Sequence, residues 1–159
     1  MTFCARDGGL LKVNKQPLDI MLSYKQNISA KPEAGGVLLG RFILNSRNVI
    51  IDEITTPTAK DKSTRVYFLR DADSHQELIT SAWQRSGGTC NYLGEWHTHP
   101  EPVPSPSRQD IRNWKNILKN GIYSSNRLFF AIVGYQRTNI WIGHRKGLQI
   151  EQLLFHGKK

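Results

Sequence analysis

"GEWHTHPEPVPSPSRQD", residues Gly94 to Asp110, sets two histidines one residue apart, follows them with a proline-studded loop and closes on Ser-x-x-Asp. The run "TCNYLGEWHTH" that leads into it reads as a strand ending at Pro100, and that proline also holds His99 in an extended conformation. Alternate side chains of a strand leave the same face, so His97 and His99 project together. "SRQDIRNWKNILKN" then reads as a helix with Ile111, Trp114, Ile117 and Leu118 inward and Gly121 at its end. Between strand and helix, Pro100, Pro102, Pro104 and Pro106 carry fixed φ angles that lower the entropy cost of holding one loop path. The stretch is a strand, a stiff loop and a helix.

The rest of the chain builds outward from this unit. "QPLDIMLSYKQNIS" has Pro17 placed as a first helical residue and Leu18, Met21, Leu22 and Ile28 at helical spacing. Two β-rich runs, Val37 to Leu44 and Val49 to Thr55, are joined by the polar turn Asn45 to Asn48 and read as a hairpin. A polar loop, "TPTAKDKST", leads into the strand candidate "RVYFLR". A second helix is capped by Asp71, carries Leu78, Ile79, Ala82 and Trp83 on one side, and stops at Gly87-Gly88. "RLFFAIVGYQ", "NIWIGH" and "LQIEQLLF" supply three more strands. Strands and helices intermix without strict alternation, which predicts an α+β fold, a mixed sheet flanked by helices, rather than a doubly wound parallel one.

The chain's 159 residues, 38% of them apolar, predict a single domain over residues 1–159. No apolar run approaches the roughly 20 residues of a membrane helix and no leader opens the chain, so a soluble, cytoplasmic protein is expected. Cys4 and Cys90 stand outside any CxxC arrangement and read as buried small hydrophobes. The formal charge of +9 attracts acidic partners or nucleic acid, but the basic residues are scattered and form no stripe interleaved with aromatics. A solvated basic surface is the expectation, and nucleic acid is not an expected partner.

Two readings compete for the opening stretch. Ser107-x-x-Asp110 has the spacing of a capping box, in which a serine caps a helix and an acidic side chain at its third position answers. The same residues also suit a metal: zinc is held by histidine nitrogens and a carboxylate oxygen at about 2.0 to 2.2 Å, with a further position open in catalytic sites. Conjunction favours the metal, because two histidines on one strand face, a carboxylate at the opening of the next helix and a hydroxyl between them converge on one centre. His75, His144 and His156 are isolated and carry no assigned role. A base for the attacking water has two candidates. Glu95 shares a strand face with His97 and His99; Glu33, in "KPEAGGVLLG", precedes a hydrophobic strand, where Gly35 and Gly36 permit close approach of a backbone or substrate. Spacing leaves both open.

His97-Thr98-His99-Pro100, then seven residues from His99 to Ser107, then Asp110, with Glu33 in an upstream E-x-G-G-V-L-L-G, resembles the JAMM signature of MPN-domain, or JAB-type, zinc metalloproteases. The resemblance spans most of the chain. "GEWHTHPE" and "PSRQD" are most similar to the bacterial branch found beside E1/E2-like conjugation proteins, and within it to the deconjugating isopeptidases of CBASS anti-phage systems. It implies the cytidine-deaminase-like MPN/JAB fold, one catalytic Zn²⁺ held by His97, His99 and Asp110, Glu33 as base, and Ser107 helping to stabilise the oxyanion. It also implies deubiquitinase-like cleavage after the C-terminus of a cGAS-like nucleotidyltransferase joined to its targets, with the E1/E2-like enzyme as functional counterpart. Processing of a bacterial ubiquitin-like or sulfur-carrier protein is the alternative within the class. Many eukaryotic members have an aromatic residue where this chain has Glu95; the expectation here is that Glu95 orients or tunes a ligand histidine.

Isopeptidases of this kind bind an extended tail, for which a sheet edge offers main-chain hydrogen bonds, with Thr58 to Thr64 and Glu101 to Pro106 as candidate flanks. Two other classes stand against this reading. A catalytically silent MPN scaffold would lack members of the set Glu33, His97, His99, Ser107 and Asp110, which is complete here. A RadC-like DNA-associated protein shares an HxHP core and suits the basic charge, but Pro100 is followed by Glu-Pro-Val-Pro instead of that branch's Ser-Gly.

Overall fold

The computed structural model describes residues 1–157. In chain order they form strands β1 (Thr2–Cys4) and β2 (Leu10–Val13), helix α1 (Lys15–Ser23), strands β3 (Gly35–Phe42), β4 (Val49–Ile54), β5 (Lys62–Thr64) and β6 (Tyr67–Leu69), and helix α2 (Ala72–Arg85). Strand β7 (Asn91–Thr98), helix α3 (Arg108–Asn120) and strands β8 (Arg127–Val133), β9 (Thr138–His144), β10 (Ile150–Gln152) and β11 (Leu154–Phe155) follow. Nine strands make one sheet in the order β10-β9-β8-β7-β3-β4-β2-β1-β11, while β5 and β6 form a separate hairpin. The pairs β7/β8 and β2/β4 are parallel and the others antiparallel, so the sheet is mixed and the α+β expectation holds.

Strand alternation shows how the layers are arranged. On β8, Phe129, Ala131 and Val133 join a core with Met21 of α1, whereas Leu128, Phe130 and Ile132 join Trp114 and Leu118 of α3. Val37 and Leu39 of β3 pack on Ala82 of α2, with Leu38 on the α1 side. Helix α1 therefore covers one face, and α2 and α3 cover the other. The Trp114 ring stacks on Phe130 with centroids 4.7 Å apart.

The C-terminal run read as one strand is two. Leu153 alone separates β10, at one edge of the sheet, from β11, at the other. A one-residue link cannot span an open nine-stranded sheet, so the sheet curls until its edges meet. Leu153 is buried in the core that holds both Phe3 and Ile142, and its N–H donates to the Ile140 carbonyl. Strands β1 and β2 fall where the sequence pattern assigned no element; they are short, and non-local pairing holds them in place.

Other expectations need correction. Helix α1 starts at Lys15, which puts Pro17 third in its first turn, and it ends at Ser23, leaving Ile28 exposed. On α2 the inward stripe is His75, Ile79 and Ala82; Leu78 and Trp83 flank it and stay exposed. Part of the expected loop from Thr58 to Thr64 is strand β5, paired with β6. Cys90 is buried as expected, but Cys4, on short strand β1, is only half-buried. Asp71 caps α2 as expected, its carboxylate accepting from the Ser74 N–H at 2.9 Å. No helix among the described residues is long and apolar enough to cross a membrane.

Candidate metal centre

Strand β7 lies between β3 and β8 in the middle of the sheet and delivers His97 at its C-terminal end. A register shift against β3 between Leu38 and Leu39 leaves Leu93 as the extra residue, and Gly94 takes φ 139°. A Cβ at Gly94 would lie 1.8 Å from the Phe129 carbonyl oxygen, so only glycine fits this bulge. Beyond the bulge the alternation is regular. Trp96 is buried on the α1 side, donating its indole N–H to the Thr55 carbonyl at 2.9 Å, while Glu95 and His97 are only partly covered. His99 lies past the strand end and is fixed by its N–H to the Val133 carbonyl at 3.1 Å.

Helix α3 brings Asp110 to the histidines. The Ser107 hydroxyl accepts from the Asp110 N–H at 3.1 Å, and the Asp110 carboxylate accepts from the Ser107 N–H at 2.7 Å. The capping box is real, and it aims the acidic group. The proline loop leading to it is tied down by a second segment: the Glu101, Pro102 and Pro104 carbonyls accept from Tyr135, Gln136, Arg137 and Asn139.

His97 Nε2 and His99 Nε2 stand 3.0 Å apart, with Asp110 Oδ1 3.3 Å from the first and Oδ2 3.4 Å from the second. One donor atom from each residue falls within 4.8 Å of the other two. The His97–His99 separation is close to the roughly 3.3 Å edge of a tetrahedron with bonds of about 2.0 to 2.1 Å, and Asp110 turns one oxygen towards each histidine. The electrostatics point the same way. Burial works against ionisation of Asp110, yet hydrogen bonds from His97 and His99 hold it well below the usual carboxylate range. Burial also works against charging His99, but Asp110, Glu33 and Glu101 around it lift its pKa above the ordinary value. The cluster favours positive charge at its centre, and its donor set fits a divalent cation.

Glu33 lies two residues before the first residue of β3. Its N–H donates to the Thr64 carbonyl at 2.8 Å, and the next residue is clamped to Thr98 by two hydrogen bonds, Ala34 N–H to Thr98 Oγ1 at 3.0 Å and Thr98 N–H to the Ala34 carbonyl at 2.8 Å. This clamp places Glu33 Oε1 4.0 Å from His99 Nε2. Gly35 makes the approach possible, since a Cβ there would meet the Trp96 carbonyl oxygen at 2.6 Å and the Phe68 ring at 2.7 Å. What the glycine admits is the protein's own backbone and hairpin. Burial raises the Glu33 carboxyl to about 7, the neighbouring His99 working against that shift.

All five residues singled out in the sequence meet at one cleft of about 430 Å³. Strand β6 forms one wall, α3 the other, and β7 lies at the base. The flanks are not quite those expected: Val66 to Arg70 line the cleft in place of Thr58 to Thr64, and of the proline loop only Pro100 and Glu101 do so up to Ser107. Glu95 makes no hydrogen bond to either histidine among the described residues. It accepts from Arg70 Nη2 at 2.7 Å, Arg70 Nε at 3.1 Å and the Tyr92 hydroxyl at 3.4 Å. Burial pushes the Tyr92 phenol well above its ordinary value, which keeps it a donor. The carboxylate facing the other ring nitrogen of His99 is instead Glu101, whose Oε2 lies 3.8 Å from His99 Nδ1. Its position directly after His-Thr-His-Pro was the available signal. Arg70 and His75 carried no such sign.

Residues 17–143 match the family model described as prokaryotic homologs of the JAB domain. A CD-NTase/cGAS isopeptidase from Escherichia coli is 36% identical over 131 residues, covering 82% of this chain and 79% of that protein. One from Vibrio cholerae is 36% identical over 126 residues, 79% and 76% of the respective chains. The solution structure of protein DSY2949 from Desulfitobacterium hafniense superposes with a TM-score of 0.57 at 19% identity, over 89% of this chain and 88% of that one, a likeness of fold. The family match takes in the Glu33 segment and the His97–Asp110 unit together, and this chain belongs to the prokaryotic JAB-domain family.

Proposed function

We propose that this chain is a zinc-dependent isopeptidase that hydrolyses the amide bond between the C-terminus of a cGAS-like nucleotidyltransferase and the targets to which it has been joined. The observation that carries the reading is the convergence of His97, His99 and Asp110 at a cleft, with the buried Glu33 carboxylate 4.0 Å from His99. The printed names of the relatives supply the substrate class. The catalytic unit is the single domain expected over 1–159, of which 1–157 are described.

His97, His99 and Asp110 would hold the ion. When bound, zinc polarises the scissile carbonyl and lowers the pKa of water at the site. Glu33, kept basic by burial, takes a proton from the attacking water as its oxygen adds to the carbonyl carbon. The Ser107 hydroxyl, beside Asp110 at the mouth of α3, donates to the developing oxyanion. The carbon–nitrogen bond then breaks, the proton held by Glu33 passes to the leaving amine, and no covalent acyl-enzyme forms. The full set of five residues distinguishes this chain from a silent scaffold.

The conjugating E1/E2-like enzyme is the functional counterpart, and the reaction belongs to anti-phage defence in the cytoplasm. The test incubates purified protein with a nucleotidyltransferase fused through its C-terminus to a reporter, beside a ubiquitin-like protein fused in the same way. Cleavage of the first, lost with chelator and in Glu33→Ala, is expected. Cleavage of the second alone would move the substrate to a ubiquitin-like or sulfur-carrier protein. A salt-dependent shift of DNA with neither fusion cut would favour the RadC-like reading.

A further inference from the structure

The cleft holds an ion pair that the proposed chemistry does not use. Arg70, which follows β6, and Glu95 of β7 have side chains only 24% and 21% exposed. A guanidinium and a carboxylate commonly pair through both oxygens. Here Arg70 Nε, Arg70 Nη2 and the Tyr92 hydroxyl all converge on Glu95 Oε1. Oε2 and Arg70 Nη1 have no hydrogen-bond partner among the described residues, and both side chains line the cleft. A half-buried acceptor and a half-buried donor therefore stand side by side, and the pair as a whole carries no net charge.

We propose that Arg70 and Glu95 form a specificity subsite that reads an uncharged polar side chain, a carboxamide or hydroxyl, on the substrate residue two positions before the one bearing the scissile carbonyl. The inference rests on the isopeptidase reading above and adds the sequence preference of the tail. Glu95 and His97 are alternate residues on one strand face, about 7 Å apart, the spacing of alternate residues in an extended ligand. In an isopeptide, only the acyl side continues as extended peptide; the amine side is a lysine side chain. The residue over Glu95 thus belongs to the acyl side. A carboxamide donates to Oε2 and accepts from Nη1. An acidic residue would face Glu95, a basic one would face Arg70, and an aliphatic one would leave both groups desolvated without partners.

The test uses random hexapeptides joined through their C-terminal carboxyl to the ε-amine of a biotinylated lysine peptide. Cleaved products are sequenced by mass spectrometry, and in parallel the metal-loaded Glu33→Gln protein captures uncleaved library. Asn, Gln, Ser and Thr should be enriched by about tenfold over Asp, Glu, Lys and Arg at the third position from the scissile carbonyl. Glu95→Gln, which leaves Arg70 unpaired, should shift that position towards acidic residues; Arg70→Gln should shift it towards basic ones. A flat preference there in the captured pool, unchanged in both variants, overturns the subsite. Captured peptides carrying the preference, with no cleavage by the wild type, uphold the subsite and overturn the hydrolytic reading.

Discussion

Ser107 and Asp110 are bonded reciprocally, each side chain accepting the other's backbone N–H, at 3.1 and 2.7 Å, so the device that starts α3 also presents the Asp110 carboxylate to His97 and His99. The proposed mechanism adds an oxyanion contact to this cap, and the two roles of Ser107 are separable by experiment. Ser107→Ala should lower stability by about 1 kcal/mol through the lost cap. It should also lower kcat by roughly 10²- to 10³-fold through the lost oxyanion donor. Urea midpoints and steady-state rates measured on one preparation check both, and an unchanged kcat with the stability loss present would confine the residue to capping.

The donor geometry predicts one divalent ion per chain. Elemental analysis of gently purified protein should find zinc at one equivalent, absent in His97→Ala and in Asp110→Asn. Because binding favours the folded state alone, chelation should lower the melting temperature of the wild type and leave both variants unmoved. A wild type that neither carries nor takes up metal would remove the centre altogether.

Glu33→Gln preserves size and polarity but deletes the proposed base. Turnover should drop by about 10²- to 10⁴-fold while metal content stays at one equivalent. The contrast is Glu95→Gln, which should retain turnover on a substrate suited to the altered pocket. Loss of turnover in Glu95→Gln alone would transfer the base to that residue.

His75 is wholly buried, with its Nε2 3.0 Å from Asp61 Oδ2 and its Nδ1 2.6 Å from Thr55 Oγ1. Burial works to raise the Asp61 carboxyl, but the His75 hydrogen bond and the Asp71 and Thr58 N–H groups outweigh it and hold Asp61 below its ordinary value. A carboxyl depressed in the folded state contributes stability that is present above its unfolded pKa and is lost as pH falls through the folded one. The stability gap between wild type and Asp61→Asn should therefore be full at pH 7 and narrow below about pH 4. Urea unfolding at a series of pH values measures it; a gap constant down to pH 3 would contradict the assignment.

How much was legible in the sequence varies with the range of the interaction. His97 and His99 share a face because a strand repeats every two residues, and Ser107 answers Asp110 because a helix start does so at three; such rules act within a few residues. The helix α3, the β3–β4 hairpin and the strand at Arg127–Val133 were visible for the same reason. Strands β1, β2 and β5 were not, since they are three or four residues long and hydrogen bonding to distant partners holds them in place.

The choice between Glu33 and Glu95 shows the division most clearly. Periodicity put Glu95 on the histidine face, where it does lie, but only folding supplied Arg70 to occupy it. Glu33 is 64 residues from His97 in sequence, and it reaches the site because β3 pairs with β7 and Ala34 clamps to Thr98. The local pattern determined the His97–His99 pair, the cap that holds Asp110 and the proline loop between them. Which carboxylate comes within reach of His99, what walls the cleft, and the curl that joins both sheet edges at Leu153 were decided by tertiary structure, because each depends on backbone pairing between segments whose separation no short-range rule records.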